Sequence, residues 1–286
     1  MIGSIIGDIV GSVYEFHNIS TKDFPLFTDE KEATDDSVLS IATAQWILDG
    51  CPLMAAPYYA KFALRHEHVM GGYGSGFQRW LYSIALQGVF IPYNSCGNGS
   101  AMRIAPVGWA FDTEDEVMEK AQDSAECTHN HPGGIAGAQA TALCILWARQ
   151  GKQKSFIRSE IERRFGYDLS PTVQQLQQCY SWGGMPSEKW SGATCQGSVP
   201  QAIVCALQAT DFEDAVRNAI SIGGDSDTIG CITGGIAEAL YGVPAAMRDK
   251  ALSYLAADLR QVVEAFEAKY GWKCLNTDAE TCQNRP

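Results

Sequence analysis

Ile135-Ala136-Gly137-Ala138-Gln139-Ala140-Thr141-Ala142-Leu143-Cys144-Ile145-Leu146-Trp147-Ala148-Arg149-Gln150 decides the fold. The run is too long for an ordinary strand, rich in alanine, apolar on almost every side and closed by Gly151. Those are the marks of a helix buried in a protein core. Working outward, the same helical period recurs. From Ser37, the residues Val38, Ile41, Ala42, Gln45 and Trp46 fall at three- and four-residue spacing until Gly50. Further runs go from Met54 through Tyr58 and Phe62 to Val69, and from Phe77 to Leu86 before Gly88. Thr113-x-x-Glu116 is a capping box that opens a helix through Cys127. Asp211 caps a run to Ile222, and Ala246 to Tyr270 reads as one amphipathic helix stopped by Gly271. Phe24 to Phe27 is the only strand candidate, weakened by Pro25. No fixed-period repeat or Pro/Ser-rich linker divides the blocks. The expectation is all-α: a single compact orthogonal multi-helix domain over residues 1–275, then a polar tail over 276–286.

Composition narrows the function classes. The 286 residues carry 33 Asp+Glu against 21 Lys+Arg, a net charge of −12. That is the wrong sign for holding backbone phosphates, so no direct nucleic-acid binding is expected. With 46% hydrophobic and 19% charged residues, the chain supports a sizeable core. No apolar run reaches the ~18 residues of a bilayer span; Ile229 to Met247 comes nearest, but Glu238 and several glycines interrupt it. The first residues, Met1 to Asp8, lack the positive region of a signal peptide. Ten cysteines are scattered without a Cys-x-x-Cys pair, and Cys144 and Cys205 sit inside apolar helical patterns. A reduced, cytoplasmic protein without a thiolate zinc site is expected, acting as a monomer.

Two acidic clusters carry the chemistry. Thr34-Asp35-Asp36-Ser37 precedes the first long helix, and Gly223-Gly224-Asp225-Ser226-Asp227-Thr228 precedes an apolar, Gly-rich one. Adjacent carboxylates do not share a face of a regular helix, but they converge at an irregular N-cap and first turn. Either cluster alone suits a cap. Together they hold more carboxylate than caps require, and four such groups without cations would repel one another. Carboxylate and hydroxyl oxygens are hard ligands for Mg²⁺, Mn²⁺ or Ca²⁺. The all-α domain is therefore expected to hold a metal site between helix-start loops.

Three other elements stand out. In Gly7-Asp8-Ile9-Val10-Gly11-Ser12-Val13-Tyr14-Glu15, the glycines permit close helix packing. Glu15 is either an exposed helix end or a further ligand or acid/base group. Ser95-Cys96-Gly97-Asn98-Gly99-Ser100-Ala101-Met102-Arg103 is a small-residue loop running into a helix. It is either a plain turn or a cradle for a phosphate or pyrophosphate, with Arg103 on an anion or an acidic neighbour. Thr128-His129-Asn130-His131-Pro132 holds two of only five histidines, and suits substrate hydrogen bonding or loop structure better than zinc. Trp182-Gly183-Gly184 and Ser198-Val199-Pro200-Gln201-Ala202-Ile203 are loop and helix-start signals without an assigned chemistry.

Taken in order from Gly3 to about Gly242, these elements resemble the ADP-ribosylglycohydrolase family, the ADP-ribosyl-acceptor hydrolases that include dinitrogenase-reductase-activating glycohydrolases. The resemblance rests on Gly7-Asp8…Gly11…Glu15, Thr34-Asp35-Asp36-Ser37 and Gly97-Asn98-Gly99-Ser100-Ala101-Met102-Arg103. It continues through Thr128-His129 and Ser198 to Ile203, and closes on Gly223-Gly224-Asp225-Ser226-Asp227-Thr228…Gly234…Tyr241-Gly242. It implies an all-helical fold with two Mg²⁺ or Mn²⁺ ions on Thr34, Asp35, Asp36, Asp225, Asp227 and Thr228. It also implies pyrophosphate on Gly97, Asn98, Gly99 and Ser100 beside His129, with Met102 and Arg103 at the same ligand. Ser37 stands where many members have Thr, keeping the hydroxyl, and Cys96 where some place an aromatic residue. The implied reaction is hydrolysis of the bond between ADP-ribose and an arginine or serine side chain. Glu15 and Asp36 are then the acid/base candidates. The substrate would be an ADP-ribosylated protein or small-molecule conjugate. Two rivals share the residues: a two-metal phosphohydrolase or nucleotide pyrophosphatase, and a non-catalytic ADP-ribose-binding protein. Intact ADP-ribose as product marks the first activity, AMP plus ribose 5-phosphate the second.

Overall fold

Helices begin where the sequence sets a side-chain acceptor before an apolar run. Thr34, Thr113, Thr194 and Asp211 each accept an amide from the turn they open. The computed structural model describes residues 1–186 and 189–271; the expected tail over 276–286 lies outside the described residues. In chain order the helices are α1 (Ile2–Gly11), α2 (Asp35–Leu48), α3 (Ala56–Arg65), α4 (Ser75–Gln87) and α5 (Gly99–Met102). Next come α6 (Ala105–Ala110), α7 (Glu114–Glu126), α8 (Pro132–Arg149), α9 (Lys154–Phe165) and α10 (Val173–Cys179). The last are α11 (Cys195–Gln208), α12 (Phe212–Ser221), α13 (Ser226–Tyr241), α14 (Ala245–Leu252) and α15 (Ala257–Tyr270). The described residues form no strand; Gly97 and Thr194 make an isolated bridge. The domain is all-α, as the periodicity implies.

Helix α13 lies at the centre and packs against α1, α8, α11 and α12. The apolar run quoted first becomes α8, whose Ala140 to Ala148 are all buried. Glu238, the charge that interrupts the apolar stretch of α13, accepts the Gly3 amide at 2.8 Å at the start of α1. No described helix is long and apolar enough to cross a membrane. The eight described cysteines are free thiols.

The α1–α13 crossing positions the site. Gly3 and Gly7 of α1 face Gly234 and Gly230 of α13 with no side chain between them. A Cβ on Gly7 would sit 1.8 Å from the Gly230 carbonyl oxygen, and one on Gly234 2.0 Å from that of Gly3. The two backbones therefore touch. This contact carries Asp8, the residue after Gly7, to the start of α13 where Asp227 stands.

Four expectations change. Ala246 to Tyr270 is two helices. The Ser253 hydroxyl donates to the Lys250 carbonyl, tight turns join Tyr254 to Ala251 and Leu255 to Leu252, and Leu255 turns into the core. Phe24 to Phe27 is not a strand, because Arg217 takes the Lys22 and Phe24 carbonyls that a neighbouring strand would have used. The run from Met54 to Val69 shortens to α3, which ends at His66. At Thr113 only half the capping box forms, since the Glu116 carboxylate bonds the Thr113 hydroxyl and not its amide.

Candidate active site

The buried Asp8 carboxylate organises the first acidic loop. Oδ2 accepts the Thr34 amide at 3.0 Å and the Ser37 amide at 3.1 Å, while Oδ1 accepts the Thr34 hydroxyl at 2.7 Å. The Ser37 hydroxyl also donates to Oδ2. Asp8 thus caps α2 from another helix, and Thr34 caps it from within by accepting the Asp36 amide. This double cap holds Asp36 with Oδ2 near the Thr34 and Thr228 hydroxyls and leaves buried Oδ1 without a donor.

The second acidic loop is set by two glycines and an asparagine. Gly223 and Gly224 both have φ near +74° (74° and 73°), where a side chain would be strained. Asn18 donates to the Gly224 carbonyl at 2.8 Å and accepts the Gly224 amide at 2.9 Å. The same Asn18 amide donates to the Tyr14 and Glu15 carbonyls, stapling the Glu15 turn to the loop. Asp225 accepts the Asn98 side-chain amide at 2.7 Å.

Carboxylate oxygens therefore gather in two groups. Asp8, Asp36 and Asp227 form one, and Glu15, Asp225 and Asp227 the other, each with ligand atoms within 4.8 Å of one another. Asp227 belongs to both. Burial raises the pKa of Asp8 to about 6 against the pull of its Ser37 and Thr34 hydrogen bonds. Burial, then the charges of Asp225 and Asp8, pushes Glu15 up to about 7. Asp35, Asp36 and Asp227 are held well above the usual carboxylate range by burial first and then by neighbouring charges, chiefly Asp8 for Asp35 and Asp36 and Asp225 for Asp227. Hard oxygen donors, a donor-free buried oxygen on Asp36 and mutual repulsion fit a pair of divalent cations sharing Asp227.

These groups form one end of a cavity of about 430 Å³. Glu15, Asp35, Asp36, Asp225, Asp227 and Thr228 line that end; Gly97, Asn98, Gly99, Met102, Arg103 and His129 line one further wall. Two expected site residues do not reach the lining. Thr34 gives its hydroxyl to Asp8, and Ser100 is fully buried with its hydroxyl on the Gly134 carbonyl. Arg103 is fully buried, its Nη2 donating to the Ser124 carbonyl and the Thr128 hydroxyl and its guanidinium 4.0 Å from the Tyr59 ring centre. His129 and His131 do not form a chelating pair. His131 accepts the Gly133 amide and caps α8, whereas His129 faces the cavity. Cys96 is not in the lining; the aromatic residues of the wall include Tyr93, 5.8 Å from the His129 ring.

Several lining residues escape the sequence reading. Asp8, fully buried behind the lining, escapes it too; a lone charge inside the apolar, glycine-spaced α1 is the signal that could find it, because a buried carboxylate needs partners. Gly71-Gly72-Tyr73-Gly74-Ser75-Gly76 forms another wall, and its glycine density is visible in the chain. A Cβ on Gly71, at φ +74°, would lie 2.7 Å from the Glu15 carboxylate. Trp182 lines the cavity and donates its indole N–H to the Glu15 carbonyl at 2.9 Å. A larger groove, about 640 Å³, runs between Asp211–Asp214 and Tyr241–Pro244, and neither carboxylate group of three borders it.

Comparison with known proteins agrees with this geometry. Residues 1–275 match the model of a family described as ADP-ribosylglycohydrolase. The human ADP-ribosylhydrolase ARH3 is 28% identical over 85% of this chain and 84% of its own, and that of Danio rerio 26% over 85% and 82%. The ADP-ribosyl-[dinitrogen reductase] glycohydrolase of Rhodospirillum rubrum is 24% identical over 94% of this chain and 95% of its own. A solved structure titled ADP-ribosylglycohydrolase-related protein complex superposes with a TM-score of 0.66 at 21% identity, over 94% of this chain and 97% of that one. Acidic loops sharing Asp227, a glycine-walled cavity and a match that spans the whole described fold lead to one assignment: this chain belongs to the ADP-ribosylglycohydrolase family.

Proposed function

We propose that this chain is a metal-dependent hydrolase that releases ADP-ribose from an acceptor side chain, arginine or serine, and so reverses ADP-ribosylation. The observation that carries the reading is the donor-free Oδ1 of buried Asp36, set among carboxylates at one end of a cavity whose other end is built from Gly97, Gly99 and His129. A bare cluster of this density is electrostatically incomplete. The names of the relatives point to the same bond.

Two Mg²⁺ or Mn²⁺ ions would be held by Asp8, Asp36 and Asp227 and by Asp225 and Asp227, with Asp35, Thr34 and Thr228 beside them and Glu15 kept as the acid/base group. Ions in such a site supply electrostatic stabilisation and a water of lowered pKa. The remaining work belongs to this chain's side chains. Glu15, half-buried and raised to about 7, holds a proton near neutrality and donates it to the departing acceptor atom. Asp36, the other acid/base candidate, is 2% exposed and engaged by the Thr34 and Thr228 hydroxyls, which suits a ligand better than a proton carrier. The Gly97–Gly99 backbone and His129 orient the pyrophosphate, placing the sugar carbon at the acidic end. A reduced, cytoplasmic setting fits the free thiols.

The test offers arginine-linked and serine-linked ADP-ribose separately, with Mg²⁺, Mn²⁺ or excess chelator. Metal-dependent release of intact ADP-ribose is expected, abolished in Asp36→Asn and Asp225→Asn. AMP with ribose 5-phosphate as products would favour the phosphohydrolase instead. Full activity in chelator would overturn the metal assignment.

A further inference from the structure

The Gly97–Gly99 wall carries a buried relay that the chemistry above does not use. Arg103 is fully buried, and its Nη2 donates to the Thr128 hydroxyl at 2.8 Å. The Thr128 oxygen in turn lies 2.8 Å from Nδ1 of His129. Thr128 is also fully buried, so no bulk water competes for its hydroxyl.

A guanidinium donates and never accepts, so the proton in the Arg103–Thr128 bond belongs to Arg103. The threonine hydroxyl keeps one proton of its own, and Nδ1 of His129 lies within hydrogen-bond reach, where either atom could donate. The opposite arrangement, with Nδ1 protonated, would aim two donors at one oxygen and leave the hydroxyl proton only the Cys127 sulfur, a weaker acceptor than imidazole nitrogen. Neutral imidazole carries a single N–H, and with Nδ1 accepting that N–H is at Nε2. Nε2 faces the glycine wall: a Cβ on Gly99 would lie 3.1 Å from it and one on Gly97 3.5 Å. A side chain at Gly99 would crowd the ring, whereas one at Gly97 would rest in ordinary contact with it.

We propose that Arg103 and Thr128 are positioning residues that lock His129 as a neutral imidazole with its proton on Nε2, presented to an anionic oxygen of the ligand at the Gly97–Gly99 wall. Arg103 then acts on the ligand through His129. Tyr59 holds the guanidinium from its other side, with the Tyr59 hydroxyl tied to Ser124 and Thr43. Burial and the Arg103 charge both keep His129 neutral. A cationic ring would compete with metal-bound groups for the phosphates. A neutral ring with a fixed donor adds one directed hydrogen bond and no charge.

The ligand half rests on the ADP-ribose reading; the tautomer half does not. The test is therefore nitrogen NMR of ¹⁵N-histidine-labelled, ligand-free protein, with His129 assigned by loss of its signals in His129→Gln. The expected pattern is protonated Nε2 and unprotonated Nδ1. In Thr128→Val, which keeps the shape and removes the hydroxyl, the ring should populate the other tautomer. KM for an ADP-ribose conjugate should rise about tenfold with kcat within twofold, the scale of one hydrogen bond. Thr128→Ser should restore both. Wild-type protein with Nδ1 protonated, or Thr128→Val with an unchanged tautomer, overturns the relay. A correct tautomer in a protein that ignores ADP-ribose sustains the relay and removes the ligand reading instead.

Discussion

Asn98 donates its side-chain amide to Oδ2 of Asp225 at 2.7 Å, joining the glycine wall to an acidic loop 127 residues further along the chain. The bond orients a carboxylate of the second oxygen group and also fixes the cavity length between that group and the Gly97–Gly99 wall. Asn98→Ala should lower metal affinity or turnover by roughly 10–100-fold, the usual effect of losing a partner that orients a ligand. Asn98→Asp should cost more, because it adds another negative charge to the cluster. Metal titration with turnover as the readout separates the two. Equal activity in Asn98→Ala and wild type would show that Asp225 needs no orientation from this side.

Asp8 accepts four donors from Thr34 and Ser37. In Asp8→Asn an NH₂ group faces donors, leaving buried amides or hydroxyls unpaired. A loss of roughly 2–3 kcal/mol is expected even with chelator present, on the scale of an unsatisfied buried donor. Asp35→Asn should cost much less chelated stability and act mainly on activity, since the Asp35 carboxylate bonds its own backbone amide and not a second helix as Asp8 does. Thermal denaturation with and without metal distinguishes the two roles.

Burial raises Asp8 to about 6 and Glu15 to about 7, above their ordinary values of 3.8 and 4.5. Between about pH 4 and 7 the folded chain therefore holds protons that the unfolded chain has released. Stability falls with rising pH wherever the folded state binds more protons. In chelator, the melting temperature should thus be highest near pH 4 and decline from there to about pH 7, unlike a protein whose carboxylates are paired. Saturating Mg²⁺ or Mn²⁺ should raise it most at the upper end, where the ionised oxygens gain their counter-charges. A chelated midpoint that climbs steadily from pH 4 to 7 would contradict the burial of this cluster.

Gly7→Ala should destabilise the protein by about 3 kcal/mol or more, because the added Cβ meets backbone at 1.8 Å and the helices must part. Gly50→Ala is the control: φ is +85° there but nothing lies within 4 Å of the new atom, so about 1 kcal/mol of backbone strain is expected. Denaturant unfolding of both measures the difference.

Much of this was legible in the sequence, for reasons visible in particular residues. The period through Val38, Ile41, Ala42 and Trp46, and the unbroken apolar run of α8, specify helices by themselves, because one face or the whole surface must be buried. Asp225 and Asp227 stood out as more acid than a cap needs. Asp8 did not, since its role depends on the amides of Thr34 and Ser37, which only the tertiary contact brings near. Asn18 is equally invisible: nothing local distinguishes an asparagine that staples a loop 206 residues away. The split between α14 and α15 was missed because a tilt of Leu255 into the core outweighs a helical period that continues on both sides. Arg103 reads from sequence as a contact for an anion or for an acidic neighbour, yet burial directs its guanidinium to Ser124 and Thr128.

Where α1 meets α13, main chain rests on main chain, with no rotamer in between to cushion the distance. A spacer made of side chains would drift whenever the surrounding core was repacked by mutation. A joint made of peptide groups has one separation only, so Asp8 and Asp227 inherit an interval that neighbouring substitutions leave alone. The ion-binding corner is thereby decoupled from the rest of the interior, which is free to vary in volume and composition around it.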